Sequence, residues 1–177
     1  MYRKIKSRRR SGRTNYKRRI ALLKGNMPRV VIRKTNRRII MQVLVYGKDG
    51  DRVVAHAESD ELRKFGWEPR ANAPTAYLTG MMLAKKAKSG VKGSVVLDIG
   101  LYKPVKSSVI FSGARGAADG GMELLNSIDI DEGRIRGAHI ADYAKSGKAA
   151  FSAYKKANFD VSNISEVFDG VKKRIME

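Results

Sequence analysis

Arg29-Val30-Val31-Ile32-Arg33-Lys34-Thr35-Asn36-Arg37-Arg38-Ile39-Ile40-Met41-Gln42-Val43-Leu44-Val45 is the stretch on which the fold turns. Residues 29–33 and 38–45 are apolar, β-branched runs, the composition that suits a pleated, half-buried surface. Residues 34–37 connect them, so the two runs read as the arms of a hairpin. Gly47-Lys48-Asp49-Gly50 then supplies a second turn, and residues 52–57 a third strand. The segment predicts a three-strand antiparallel meander.

C-terminal to the meander, Ser59-Asp60-Glu61 caps a short helix that stops at Gly66, before Trp67. A longer helix is predicted over residues 72–89, with Asn72 as its cap and Lys85, Lys86 and Lys88 at the end where the helix dipole favours cations. Ala73, Ala76, Gly80, Leu83 and Ala87 share one side of it, small enough to let the helix sit close to a sheet. Residues 94–99 follow this crossover helix and predict a buried strand parallel to an earlier one. Residues 109–120 predict a second helix whose Ser112, Gly113, Gly116 and Gly120 form another close-packing side. Residues 134–143 are helical or turn-like. Asn163 and Glu166 have the spacing of a capping box, and Val167, Phe168, Val171 and Ile175 stripe a last short helix. The expected class is α/β: a mixed sheet, made of the antiparallel meander plus one parallel strand, packed with helices. Three segments are expected: a basic arm (residues 1–14), an α/β domain (15–143) and a small helical C-terminal extension (144–177).

The charge is distributed as unevenly as the apolar residues are orderly. The chain of 177 residues has 37 Lys and Arg against 17 Asp and Glu. Residues 1–48 hold 17 of the cations and no carboxylate, the first being Asp49. The other 129 residues are nearly balanced, at a net of +3. An ordinary solvated surface mixes signs, because unrelieved repulsion costs stability. A block this one-sided implies a polyanionic partner. It has few bulky apolar residues to insert into a membrane, so nucleic acid is the expected partner. With 42% apolar residues the chain can bury a core, and no apolar run approaches a membrane span. The absence of cysteine excludes disulfides and thiolate chemistry and agrees with a cytoplasmic location.

Within the block, residues 1–14 are too poor in apolar side chains to fold alone. An organellar transit peptide or a nuclear import signal has a similar composition. Residues 15–24 predict a short helix, capped by Thr14 or Asn15 and stopped at Gly25, with Tyr16, Ile20 and Leu23 on one face. Lys17, Arg18 and Arg19 crowd its first turn, where the dipole is already positive; a bound phosphate would relieve them. The candidate RNA contacts are Arg3, Lys4, Lys6, Arg8, Arg9, Arg10 and Arg13 on the arm. Tyr16, Lys17, Arg18, Arg19 and Lys24 follow on the helix, and Arg29, Arg33, Lys34, Asn36, Arg37 and Arg38 on the hairpin.

Catalytic readings are thin. His56 and His139 are the only histidines and lie far apart in sequence, so no metal site is expected. The glycine-rich residues 113–121 lack the Gly-Lys-Ser/Thr ending of a phosphate loop. Leu97-Asp98-Ile99-Gly100 resembles a phosphate-binding strand of actin-like ATPases, but Leu101 and Tyr102 follow where small or hydroxylic residues belong. Asp98 reads as a strand end accepting local hydrogen bonds. No catalytic residue and no cofactor is expected. The alternative to an RNA binder is a DNA-binding or nucleoid protein, for which no groove-reading helix or dimer motif is visible.

A series of words in order along the chain points further. They are Asn15-Tyr16 with Arg19, Leu22-Leu23-Lys24-Gly25, the run from Pro28 to Asn36, and Glu61-Leu62 with Gly66-Trp67. The runs from Asn72 to Gly80, Val96 to Leu101 and Arg134 to Ala141 complete it. In these words the chain resembles the large-subunit ribosomal protein eighteen family of archaeal and eukaryotic type. The match loosens around residues 122–127, where Leu125-Asn126 stand in place of a Pro-His pair, and beyond Tyr143. The resemblance implies binding of 5S ribosomal RNA and its attachment to large-subunit ribosomal RNA at the central protuberance. Neighbouring 5S-binding and central-protuberance proteins would be partners.

Overall fold

The computed structural model describes residues 5, 7–91, 93–125, 128–146 and 151–177. Strands β1 (Arg29–Lys34), β2 (Ile39–Gly47) and β3 (Gly50–Glu58) form the expected meander. β4 (Val96–Asp98) adds to the free side of β1 in parallel, pairing Val30 with Leu97 and Val31 with Asp98. The sheet order is β3-β2-β1-β4. Alternation sets its two faces: Val30, Ile32, Met41, Val43, Ala55 and Ala57 are buried in the core. On β1 the alternate positions are Arg29, Val31 and Arg33, so the second face carries charge.

The helices are α1 (Ser7–Arg10), α2 (Tyr16–Lys24), α3 (Ala73–Ala87), α4 (Val109–Asp119), α5 (Glu132–Arg136), α6 (Ala138–Lys145), α7 (Ser152–Lys156) and α8 (Ile164–Met176), with a 3-10 helix at Ser59–Phe65. α3 crosses from β3 to β4 and is buried along nearly its whole length. Asn72 caps it, accepting from the Thr75 N–H at 3.2 Å. Thr75 in turn accepts from the Trp67 indole at 2.9 Å, so the N–H of this buried ring is satisfied.

α3 packs on β2 and β3 as expected, and the Gly80 position of its small-residue stripe also admits a second helix. A Cβ at Gly80 would lie 2.1 Å from the Gly113 carbonyl oxygen of α4, and one at Gly116 would lie 2.0 Å from that of Tyr77. Two backbones in contact exclude every side chain larger than hydrogen, and both glycines are spent on that seam.

Other expectations are corrected. Asn163 makes no side-chain cap to α8; its Nδ2 donates to Asp160 instead. The stripe holds even so, with Ile164, Phe168, Val171 and Ile175 buried, and Phe168 meets the Trp67 and Tyr77 rings. The extension thus contributes to the same core. The segment at residues 134–143 resolves into α5 and α6, broken at Gly137 with φ +84°. β4 is shorter than the predicted run, and of its three residues only Asp98 is buried. Finally, α2 buries no residue, and Ile20 on its apolar face stays 55% exposed.

Candidate nucleic-acid interface

α2 begins where the sequence requires: the Asn15 side chain accepts from the Arg18 N–H at 3.1 Å. Its first turn contains Lys17, Arg18 and Arg19 and no acid. With no buried apolar face, the helix is tied to the sheet by its arginines. Arg18 Nη1 donates to the Gly100 carbonyl at 2.8 Å, and Arg19 Nη2 meets Asp51 Oδ2 at 2.7 Å.

Those ties belong to a chain of alternating charge across the second face of the sheet. Arg29 Nη2 lies 2.7 Å from Asp51 Oδ1, an ion pair without hydrogen-bond alignment. Arg29 Nη1 donates to Asp98 Oδ2 at 3.1 Å, and Arg33 Nη2 pairs with Asp98 Oδ1 at 3.5 Å. The order is Arg19–Asp51–Arg29–Asp98–Arg33. Burial pushes the Asp51 carboxyl up, but close contact with Arg29, and then Arg19, outweighs it and holds the pKa below its usual 3.8. Asp98 ends its strand as expected, its Oδ1 accepting from the Gly100 N–H at 2.8 Å.

An open cleft of about 300 Å³ lies over this chain. Its walls come from three places: Arg8, Arg13 and Thr14 on the arm, Arg18, Arg19 and Leu22 on α2, and Arg33 with Gly100, Leu101 and Tyr102. Arg8 Nε donates to Thr14 Oγ1 at 3.1 Å and folds the arm back toward the α2 cap. The Tyr102 hydroxyl accepts from the Lys34 N–H at 3.2 Å, which fastens the loop after β4 to the end of β1.

The predicted contacts therefore separate. Arg8, Arg13, Arg18, Arg19 and Arg33 come together around the cleft. Lys34, Asn36 and Arg37 are exposed at the hairpin turn, where Arg38 is drawn to Asp60 at 3.1 Å and Glu58 at 3.9 Å. Arg9 and Arg10 are exposed on α1, a single helical turn that buries nothing. Lys17 and Lys24 are exposed and Tyr16 is half-buried on α2. Arg3, Lys4 and Lys6 lie outside the described residues. Arg29, expected at the surface, is 1% exposed and faces two carboxylates. Gly100, Leu101 and Tyr102 were not among the predicted contacts; they reach the cleft only because β4 pairs in parallel with β1.

Among the described residues no cluster of three or more His, Asp or Glu side chains is placed to hold a metal ion. No helix among them is long and apolar enough to cross a membrane.

Comparison with known proteins gives consistent matches. The family described as "Ribosomal large subunit proteins 60S L5, and 50S L18" matches residues 1–95. A Large ribosomal subunit protein uL18 of Korarchaeum cryptofilum is 43% identical over 95% of this chain and 91% of its own length. That of Thermofilum pendens is 42% identical over 99% and 95%, and that of Natronomonas pharaonis 40% identical over 95% and 91%.

Proposed function

This chain belongs to the family of ribosomal large subunit proteins 60S L5 and 50S L18, and from that premise we propose that it binds 5S ribosomal RNA through its basic N-terminal quarter. In this reading it helps attach that RNA to large-subunit ribosomal RNA in the central protuberance, beside the other 5S-binding protein. As a uL18-family member it is a structural constituent of the large ribosomal subunit, not an enzyme.

The observation that carries the reading is the convergence of five arginines, from three separate segments, on one cleft. Arginine and lysine neutralise phosphates and release condensed counterions, which supplies affinity without sequence preference. Selectivity comes from the folded surface that presents them, through RNA shape and the stacking of unpaired bases. Arg29 takes no part in contact; it holds Asp51 and Asp98, which in turn fix Arg19 and Arg33.

Sequencing the RNA that copurifies with the protein tests the reading, and 5S ribosomal RNA is the expected species. The rival is a DNA-binding protein. Competition with duplex DNA at fixed salt separates the two: DNA that displaces 5S RNA at equal concentration would refute the proposal.

A further inference from the structure

Arg33 differs from the other cleft arginines because its guanidinium is pinned. Nη1 donates to the carbonyl oxygens of Ile32 at 2.9 Å and Asp98 at 3.1 Å, and Nη2 pairs with Asp98 Oδ1 at 3.5 Å. Gly100 covers one flat face of it. A Cβ at Gly100 would lie 3.0 Å from Arg33 Cζ, 3.0 Å from Nη1 and 3.1 Å from Nη2. A group at the edge of a planar guanidinium is farther from the central carbon than from the two nitrogens. The near-equal distances put Gly100 above the plane. Gly100 also has φ +61°, a conformation that L side chains rarely adopt. Yet the Arg33 side chain is 41% exposed and lines the cleft, as does Leu101, which is 58% exposed. The part of the Arg33 side chain that Gly100 leaves uncovered is thus within reach of the cleft.

We propose that the cleft takes one unpaired nucleotide of the bound RNA, its base stacked on the open face of the Arg33 guanidinium and its phosphate held by Arg13 and Arg18. This deepens the reading above and rests on it. Size is the first argument: about 300 Å³ suits a single small-molecule-sized group, whereas a duplex presents a convex surface too wide for such a recess. Immobilisation is the second. A guanidinium already fixed by three acceptors loses little further freedom when a base settles on it, and its planar form suits stacking as an ammonium does not. Charge is the third. Asp98 is the one carboxylate of the lining, and its oxygens are already engaged by Arg29, Arg33 and the Gly100 N–H. An entering phosphate meets cationic walls.

The test uses the full chain and 5S RNA. Arg33→Lys keeps the charge but removes the planar face. Affinity should fall about tenfold, within the range for one stacked base, with the salt dependence unchanged. Leu101→Ser, at an exposed position, should lower affinity severalfold without moving the thermal midpoint, and it decides the matter if Arg33→Lys unfolds. Chemical probing should show one unpaired nucleotide protected by the wild type and reactive with both variants. An abasic substitution there should weaken wild-type binding by the same factor as Arg33→Lys and weaken that variant no further. Unchanged affinity in both variants, or an unchanged protection pattern, overturns the proposal. Tight binding of free 5′-GMP, abolished in Arg33→Lys, would assign the cleft to a free nucleotide and overturn the assignment to RNA. If the wild type does not bind 5S RNA, the underlying reading falls and this inference falls with it.

Discussion

Arg29 occupies the most demanding position in the molecule, a buried guanidinium between the carboxylates of Asp51 and Asp98. A cation so deep is tolerated because two anions face it, and its removal would strand both of them. Arg29→Met should therefore cost about 3–5 kcal/mol, the range for breaking a buried pair, and lower the thermal midpoint by roughly 10 °C. Arg19→Gln, at the exposed end of the same chain of charges, should cost about 1 kcal/mol or less. At a temperature where the Arg29 variant is still folded its RNA affinity should fall severalfold, since Arg29 touches no ligand but positions Arg19 and Arg33 through Asp51 and Asp98. The chain of charges also predicts an acid limb. Asp51 has a folded pKa below 3.8, so its stabilisation is complete above that value. It is lost as pH falls through the depressed folded pKa. Thermal midpoints measured downward from pH 5 should decline more shallowly in Asp51→Asn than in wild type. These roles were beyond the sequence for a definite reason. A run of cations shows which residues repel one another, but not which of them a distant strand will face. Asp98 meets Arg29 and Arg33 only through the parallel register that sets Val31 beside it.

Between elements, the closest contact is the seam of α3 with α4, where Gly80, Gly113, Gly116 and Gly120 let two backbones touch. Gly116→Ala would place a methyl 2.0 Å from the Tyr77 carbonyl oxygen, with backbone and not a pliable side chain in the way. The helices must move apart, and the loss should reach at least about 3 kcal/mol, the upper end for overpacked cores. Gly170 in α8 is the control, because a Cβ there meets nothing within 4 Å. Gly170→Ala should stabilise by about 0.5–1 kcal/mol through helix propensity alone. Opposite shifts of midpoint in a denaturant titration, with equal slopes, would establish both. Glycine spacing in residues 109–120 and the small stripe of residues 73–87 made the existence of this packing readable. Periodicity reports that a face is small, not everything that lies against it, so the sheet was expected and the α4 backbone at Gly80 was not. Caps were readable wherever the acceptor and its N–H lie three residues apart, as at Asn15 and Asn72. The spacing at Asn163 misled because Asp160, outside the motif, competes for the same side chain. α2 marks another boundary: its helix was predictable, but its lack of apolar burial was not, since its anchors are arginine partners far along the chain.

At the scale of the whole molecule, cationic side chains are divided between an arm poor in apolar residues and a hydrogen-bonded turn, and the two should contribute differently to one salt-dependent affinity. Each phosphate neutralised changes the slope of log K against log salt by about 0.7 to 0.9. Deleting residues 1–13 removes seven cations, so the slope should flatten by as much as about 6. Much of the accompanying attraction is offset, however. Among the described residues α1 is a single exposed turn with nothing buried, too short to be stable by itself, and ordering it on RNA costs chain entropy. The hairpin is already set. Thr35 N donates to the Arg38 carbonyl at 2.8 Å, and its hydroxyl accepts from Arg37 N at 3.3 Å and Arg38 N at 2.9 Å. Of its four cations, Arg33 belongs to the cleft and Arg38 is held by Asp60, which leaves Lys34 and Arg37 to face a partner from the turn itself. Replacing Lys34 and Arg37 together by Gln should flatten the slope by only about 1.5, yet lose more affinity per charge than the arm deletion does. Titrations of 5S RNA at several salt concentrations measure both quantities, and circular dichroism verifies that the strands persist. A double variant that keeps its affinity and its slope would mean that the turn faces solvent or another RNA, leaving the arm and the cleft to hold 5S RNA.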